Sequence, residues 1–369
     1  MSSSPGLLSP GFFRRHARAI VASVGLAGGL GYILHKGALP LTPPPGTLDK
    51  VIWFKVVLMA CGLIVSMIIR FARYQLLISP VAHVPLRRIM IISCIALGLV
   101  TFLPFRLGEF VRPAMLRERG KLSGWAVTGT VGAERVMDGL VFGVMLMTGL
   151  AFAQPHEPLP DHIGDLPVPA ALVPRAAQLF TLVFAVAFVV MAAFFWWRKF
   201  ARNLTEAVIG VVSKKLAARV AEAVERMSDG LRFLPNLRIT LPFLAATLVA
   251  LYAHIWSMQQ LAIGVGLPEL NLAEATVVVG VLSLGFALPN APGFFGAVQL
   301  ALYAGLAVYV APEKVVHEGA AFVFLFYTVY LAIVVVVALI GITLEYRDRA
   351  QESGATQANQ GNEVNGSSA

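Results

Sequence analysis

What most constrains this chain is the recurrence of apolar stretches about as long as a bilayer is thick. Residues 19–35, 51–69, 125–153, 171–196, 241–265 and 319–344 each form such a run, and 89–105 and 272–312 are two more that proline interrupts. A hydrocarbon core about 30 Å thick takes roughly 20 helical residues to cross. Backbone groups in lipid must also bond within their own segment, which helices achieve. No strand-type alternation competes with that reading. Of the 369 residues, 57% are hydrophobic and only 13% charged, against about 25% charged in an ordinary soluble domain. These charges are too few to coat a water-facing surface. A cytosolic globular enzyme, a secreted disulfide scaffold and a disordered chain are excluded. The expected fold is an all-α polytopic membrane helix bundle, with about six to eight spans and one or two re-entrant hairpins.

Lysine and arginine in short loops orient such a bundle. Arg14, Arg15 and Arg18 place the N-terminus inside. A signal peptide is the competing reading of this region, but Lys36 stands at −3 to Ala38, the one small residue at a plausible cleavage position. A retained first span is therefore expected. The loop after it, with Pro40 and Pro43 to Pro45, lies outside, and the next, with Arg70, Arg73, Arg87 and Arg88, lies inside. If 89–105 crossed the membrane, Arg106, Arg112, Arg117, Arg119 and Lys121 would fall outside, against the rule. A re-entrant hairpin returning to the inner face removes the conflict, and Pro104 interrupts the helix where it would turn.

The remaining loops then alternate correctly. Glu157, Asp161 and Asp165 lie outside, and the basic segment 197–240 lies inside. Within that segment, Leu204 to Leu231 carries Val208, Val212, Leu216, Val220 and Val224 at four-residue steps, as in a helix lying on a membrane surface. The expected division is a basic N-terminus over 1–18, a transmembrane domain over 19–345 with an amphipathic inner segment at 198–238, and a disordered polar tail over 346–369. Both termini are placed on the cytoplasmic side of an inner (plasma) membrane. The net charge of +9 is read as attraction to anionic headgroups, so no nucleic-acid partner is expected.

Two clusters carry chemistry. In the first, Arg106, Glu109 and Arg112 follow Pro104, and Glu134, Arg135 and Asp138 sit inside the next apolar run. A charge at bilayer depth costs at least ~2.5–3.5 kcal/mol, so these residues should face protein or a cavity. Glu134 and Asp138 lie one helical turn apart, and Arg135 to Asp138 is an i,i+3 pair that would neutralise one carboxylate. The other carboxylate would meet Arg106 or Arg112. Two readings stay open: a salt-bridge network clamping the hairpin, or a chamber where guanidinium forks hold a lipid phosphate. The second cluster is Pro289, Pro292, Gly293 and Gly296, which end one helix and begin another. The freed N–H groups of a new helix can bind an anion; a plain turn between helices is the alternative. The two interrupted segments, one in each half of the chain, suit opposed broken helices around a central site.

Other features are weaker. His254 reads as a packed residue, Lys55 as a snorkelling one, and Trp196 with Trp197 as an interfacial anchor. Cys61 and Cys94 lack partners at metal-ligand spacing, and His317-Glu318 lacks a second histidine. No metal and no cofactor is expected.

In order along the chain, Arg73-Tyr74, Leu103 to Arg112, Glu134 to Asp138 and Pro289 to Gly296 resemble the lysylphosphatidylglycerol synthase transmembrane region, a flippase-like family of multi-pass proteins. The resemblance covers roughly residues 15–345. It implies movement of an aminoacylated phospholipid between leaflets, with a separate cytosolic domain making that lipid. This chain ends soon after its last span, so aminoacyl transfer is not expected and the protein is read as a non-enzyme. The family's second motif reads Pro-Gly-Gly-(Leu/Ile)-Gly and leads to a glutamate; here Phe294 stands at the second glycine and Gln299 at the acid. The function expected is a lipid translocase for an anionic or aminoacylated phospholipid or another lipid phosphate, with membrane lipids as its partners. A homo-oligomer or a lipid-biosynthesis enzyme is the expected protein partner. The alternatives are a membrane-embedded headgroup-modifying enzyme and an accessory subunit of an envelope-biosynthesis complex.

Overall fold

The computed structural model describes residues 10–103, 108–120, 124–155, 161–162, 165–166, 172–197, 229–268, 270–287 and 291–366. Helices form where the apolar runs predict them: α1 (Pro10–Lys36), α2 (Trp53–Ile78), α3 (Leu86–Phe102), α4 (Val111–Gly120), α5 (Gly124–Phe152), α6 (Leu172–Trp196), α7 (Leu237–Val265), α8 (Leu272–Ala287), α9 (Ala297–Ala307), α10 (Pro312–Val316) and α11 (Glu318–Gly366). No strand occurs among the described residues, and the fold is an all-α polytopic bundle. Helices α2, α5, α6, α7 and α11 are each long and apolar enough to cross a bilayer. Local signals set their ends. Asn236 caps α7 by accepting from the Arg238 N–H at 3.2 Å, and Gly266, at φ 93°, closes the same helix in the left-handed region.

Lipid supplies no hydrophobic force between helices, so close approach at small residues must hold the bundle. A methyl on Gly62 of α2 would lie 2.2 Å from Ser257 Oγ of α7, and one on Gly98 of α3 would lie 2.5 Å from Ala338 of α11. Gly280 of α8 accepts Leu146 of α5 in the same way. Part of the core lies among α7, α8, α9 and α11, where Leu261, Val278, Leu302, Phe322 and Phe326 are fully buried.

Two pairs of shorter helices complete the bundle. Helix α3 has 17 residues and α4 has 10, about 26 Å and 15 Å at the α-helical rise. Helices α8 and α9, with 16 and 11 residues, reach about 24 Å and 17 Å and pack against each other. The turn between α8 and α9 touches both α3 and α1. One hairpin from each half of the chain thus meets at the centre.

Two expectations change. The run 51–69 was expected to end before a basic inner loop, but α2 continues through Arg70 and Arg73 to Ile78, since no breaker intervenes before Pro80. The polar tail from 346 was expected to be disordered, but α11 continues to Gly366. No proline interrupts it, Glu345 pairs with Arg349 one turn on at 2.8 Å, and α3 grips it through Arg88–Glu345 and Arg87–Asp348. Most of the amphipathic inner segment (198–228), Arg106 and Pro289 lie outside the described residues.

Candidate functional site

Helix periodicity assembles the charged cluster. Glu134 and Asp138 are 4% and 5% exposed on one face of α5. Opposite them, α2 presents Arg70 and Arg73, one turn apart, and α4 presents Arg112. Arg73, 3% exposed, donates to Asp138 Oδ2 at 2.6 Å and reaches Glu134 Oε1 at 3.5 Å. Its other terminal nitrogen donates to Thr247 of α7, and its guanidinium lies 4.5 Å from the Phe243 ring centroid. Arg112 donates to Glu134 Oε2 at 2.6 Å and stacks over Tyr74 at 4.5 Å; Tyr74 in turn meets the Thr130 hydroxyl at 2.9 Å. Glu134 thus bridges two arginines, and four elements are tied together by one buried network.

This arrangement corrects the expected pairing. Arg135 does not neutralise Asp138; its ion pair is with Glu109, at 3.8 Å and nearer the surface, with side chains 40% and 26% exposed. The partner of Asp138 is Arg73, which faces it from α2, whereas Arg135 leaves α5 about 100° round from Glu134 and reaches Glu109. A buried ion pair is poor evidence for stability, since desolvation offsets the Coulomb gain. Here the network is also incompletely satisfied: Arg73 Nε and Asp138 Oδ1 are buried with no hydrogen-bond partner, each at a cost of about 1–3 kcal/mol.

The network lines a cavity of about 470 Å³. Arg70, Arg73, Glu109, Arg112, Glu134, Arg135 and Asp138 all contribute to its wall. Aromatic rings of Phe142, Phe180, Phe286, Phe294 and Tyr330 line the same cavity, and Phe286 meets Phe294 edge-on at 4.9 Å. Fixed guanidinium donors beside an aromatic compartment can hold an amphiphile with an anionic head.

The broken segment contributes Phe294 to that lining. Pro292 opens a single 3-10 turn, and Gly293 and Gly296 take φ of 72° and 83°, the left-handed region natural to glycine. Phe294 takes φ 56° in the position where the resembled motif has glycine, and its ring enters the cavity wall. Gly296 faces α1, where a methyl would meet Leu30 Cβ at 2.3 Å. Gln299 accepts from the Gly296 N–H at 2.8 Å, so the start of α9 is capped by its own side chain. Of the residues singled out from sequence, Glu109, Arg112, Glu134, Arg135 and Asp138 line the cavity. Pro292, Gly293 and Gly296 instead set the backbone that presents Phe294. Arg70 and Arg73 were read as loop charges, and the structure places both at the cavity. Their i,i+3 spacing against the acids of α5 was the available signal.

Among known proteins, the family model described as Lysylphosphatidylglycerol synthase TM region matches residues 47–338. No curated protein and no solved structure matches the chain.

Proposed function

Because the chain belongs to the lysylphosphatidylglycerol synthase TM region family, we propose that it is an integral-membrane translocase for lipids with a phosphate headgroup. The observation that carries this reading is the shared cavity: its wall combines arginines with aromatic rings, which fit the two parts of a phospholipid. Arg112 and Arg135 would engage the phosphate, with Glu109, Glu134 and Asp138 positioning the guanidinium groups. The Phe294 turn would form the wall beside the acyl chains. Carrier action is favoured over headgroup chemistry because Glu134 and Asp138, the candidate general bases, already have oxygens engaged by Arg112 and Arg73. The proposed location is the plasma membrane with both ends inside, supported by Arg14, Arg15 and Arg18 at one end and Arg347 and Arg349 at the other.

Headgroup exposure in reconstituted vesicles tests the proposal. Wild-type chain should equilibrate a labelled phospholipid between leaflets, and Arg112→Ala and Arg135→Ala should slow it at least tenfold. Unchanged rates in both variants would remove these residues from the reading. Lipid extracts of a deletion strain separate carrier from enzyme, since loss of an enzyme removes a lipid species and loss of a carrier alters only its leaflet.

A further inference from the structure

The pairing of charges around the cavity leaves one cation over. Among the described residues, four arginines and three carboxylates line it. Arg112 holds Glu134, Arg73 holds Asp138, and Arg135 faces Glu109. Arg70 has no carboxylate of its own. Its nearest is Asp138 Oδ2 at 3.8 Å, the oxygen that Arg73 already occupies at 2.6 Å. Arg70 is also placed differently from its buried neighbours: its side chain is 34% exposed, against 1% for Arg73 and 11% for Arg112. It lies over the Phe142 ring at 5.4 Å, so the same side chain meets both the charged and the aromatic lining of the cavity. Beyond it a void of about 10 Å³, bounded by Ser66, Thr247 and His254, has room for one water. His254 lines both spaces, and its Nε2 has no hydrogen-bond partner.

Among the described residues the wall carries one surplus positive charge, and a low-dielectric chamber so charged favours a ligand that supplies a negative charge and disfavours one that adds a positive charge. Resting on the translocase reading, we infer that the chamber selects a monoanionic phosphodiester headgroup over zwitterionic and cationic ones, and that Arg70 is the residue that sets this preference. Arg70 adds its guanidinium to the phosphate beside Arg112 and Arg135, because it has donors to spare. An aminoacylated, net cationic lipid would instead meet the surplus charge of the wall. The aromatic rings of the wall take the acyl part, so a lipid is favoured over a free phosphodiester of the same charge.

Competition binding to the purified full chain, followed by native mass spectrometry, tests this directly. The probes are phosphatidylglycerol, phosphatidylcholine and lysyl-phosphatidylglycerol of matched chain length, together with water-soluble glycerophosphoglycerol. Phosphatidylglycerol should be retained about tenfold over the other two lipids, and the soluble diester should not displace it. Arg70→Gln should bring the three lipids to within about twofold of one another, while Arg70→Lys, which keeps the charge, should preserve the ranking. Arg70→Met keeps an apolar stem on Phe142 and repeats the test if the glutamine variant misfolds. Equal or reversed ranking in the wild type, displacement by the soluble diester, or a preference that survives Arg70→Gln would each overturn the inference. Selective binding without movement in vesicles would sink the translocase reading and leave the ligand class standing. Unranked movement of all three lipids would do the reverse.

Discussion

Arg73 is 3% exposed, bonded to α5 and α7, and stacked on Phe243. Truncating it strands Asp138 without its principal cation, and breaking a buried pair on one side costs about 3–5 kcal/mol. Arg73→Ala should therefore lower the unfolding midpoint of the purified chain sharply in a detergent titration. The double variant Arg73→Met, Asp138→Leu removes both charges and should recover most of that loss. A double variant no more stable than Arg73→Ala would show that the pair is not what the single change breaks. Phe294 gives the opposite kind of test. A non-glycine residue in the left-handed region is disfavoured by about 1–2 kcal/mol, yet losing a buried phenyl ring costs about 3–5 kcal/mol. Phe294→Gly should thus destabilise the chain by about 2 kcal/mol, although it restores the family's usual residue; thermal unfolding in one detergent measures the balance. At this scale the sequence exposes the identity of the charged residues but not their partners. Arg135 and Asp138 looked paired from spacing alone, and only the three-dimensional face of α5 assigns Asp138 to Arg73.

At the scale of elements, the hairpin of α3 and α4 is held by contact between backbones. A methyl on Gly108 would lie 2.2 Å from Val100 N and 2.3 Å from Leu99 C, atoms of α3 that cannot rotate away. Gly108→Ala should force the return arm off α3, cost about 1–3 kcal/mol as an overpacking change, and raise hydrogen exchange at α4. Unaltered exchange there would mean the arm has slack that the geometry denies it. This hairpin was legible in the sequence, because the arginines after Pro104 contradict a crossing. The end of α2 was not legible. The rule that assigns basic residues to inner loops also captures Arg70 and Arg73, which are helical and turned into the bundle. Apolar periodicity ends at Ile69, but a helix ends only where something breaks it, and nothing does before Pro80. The same reason carries α11 beyond its apolar run.

Across the whole molecule, the walls of the cavity are unequally anchored. Helix α6 contributes Phe180 and Phe184 to the cavity, yet only 11% of its most apolar window is buried, against 33% for each of the other four candidate spans. It rests mainly on α5, where Phe184 and Thr181 fill the space left open at Gly139 and Gly143. If lipid enters from the side, α6 is the wall that costs least to displace. In a background with Cys61 and Cys94 replaced, Gly143→Cys with Thr181→Cys should form a cross-link and slow lipid movement. Reduction should restore it. Movement at the full rate while cross-linked would locate the opening elsewhere. The all-α bundle and its long apolar helices were readable from apolar length. The unequal anchoring was not, because it depends on which faces find neighbours.

The cap on α9 has a consequence for how the protein responds to its surroundings. Where the family's motif leads to an acid, Gln299 holds the Gly296 N–H with a neutral amide. An amide cannot gain or lose a proton across the physiological range, so the turn that presents Phe294 has no titrating fastener. A carboxylate there would keep its grip above its own titration point and release it as the medium acidified. The central turn of this chain should therefore keep the same hydrogen-exchange protection, corrected for intrinsic rates, at pH 5 and pH 8. Gln299→Glu should make that protection fall at the lower pH, converting a permanent latch into one that acidity can lift.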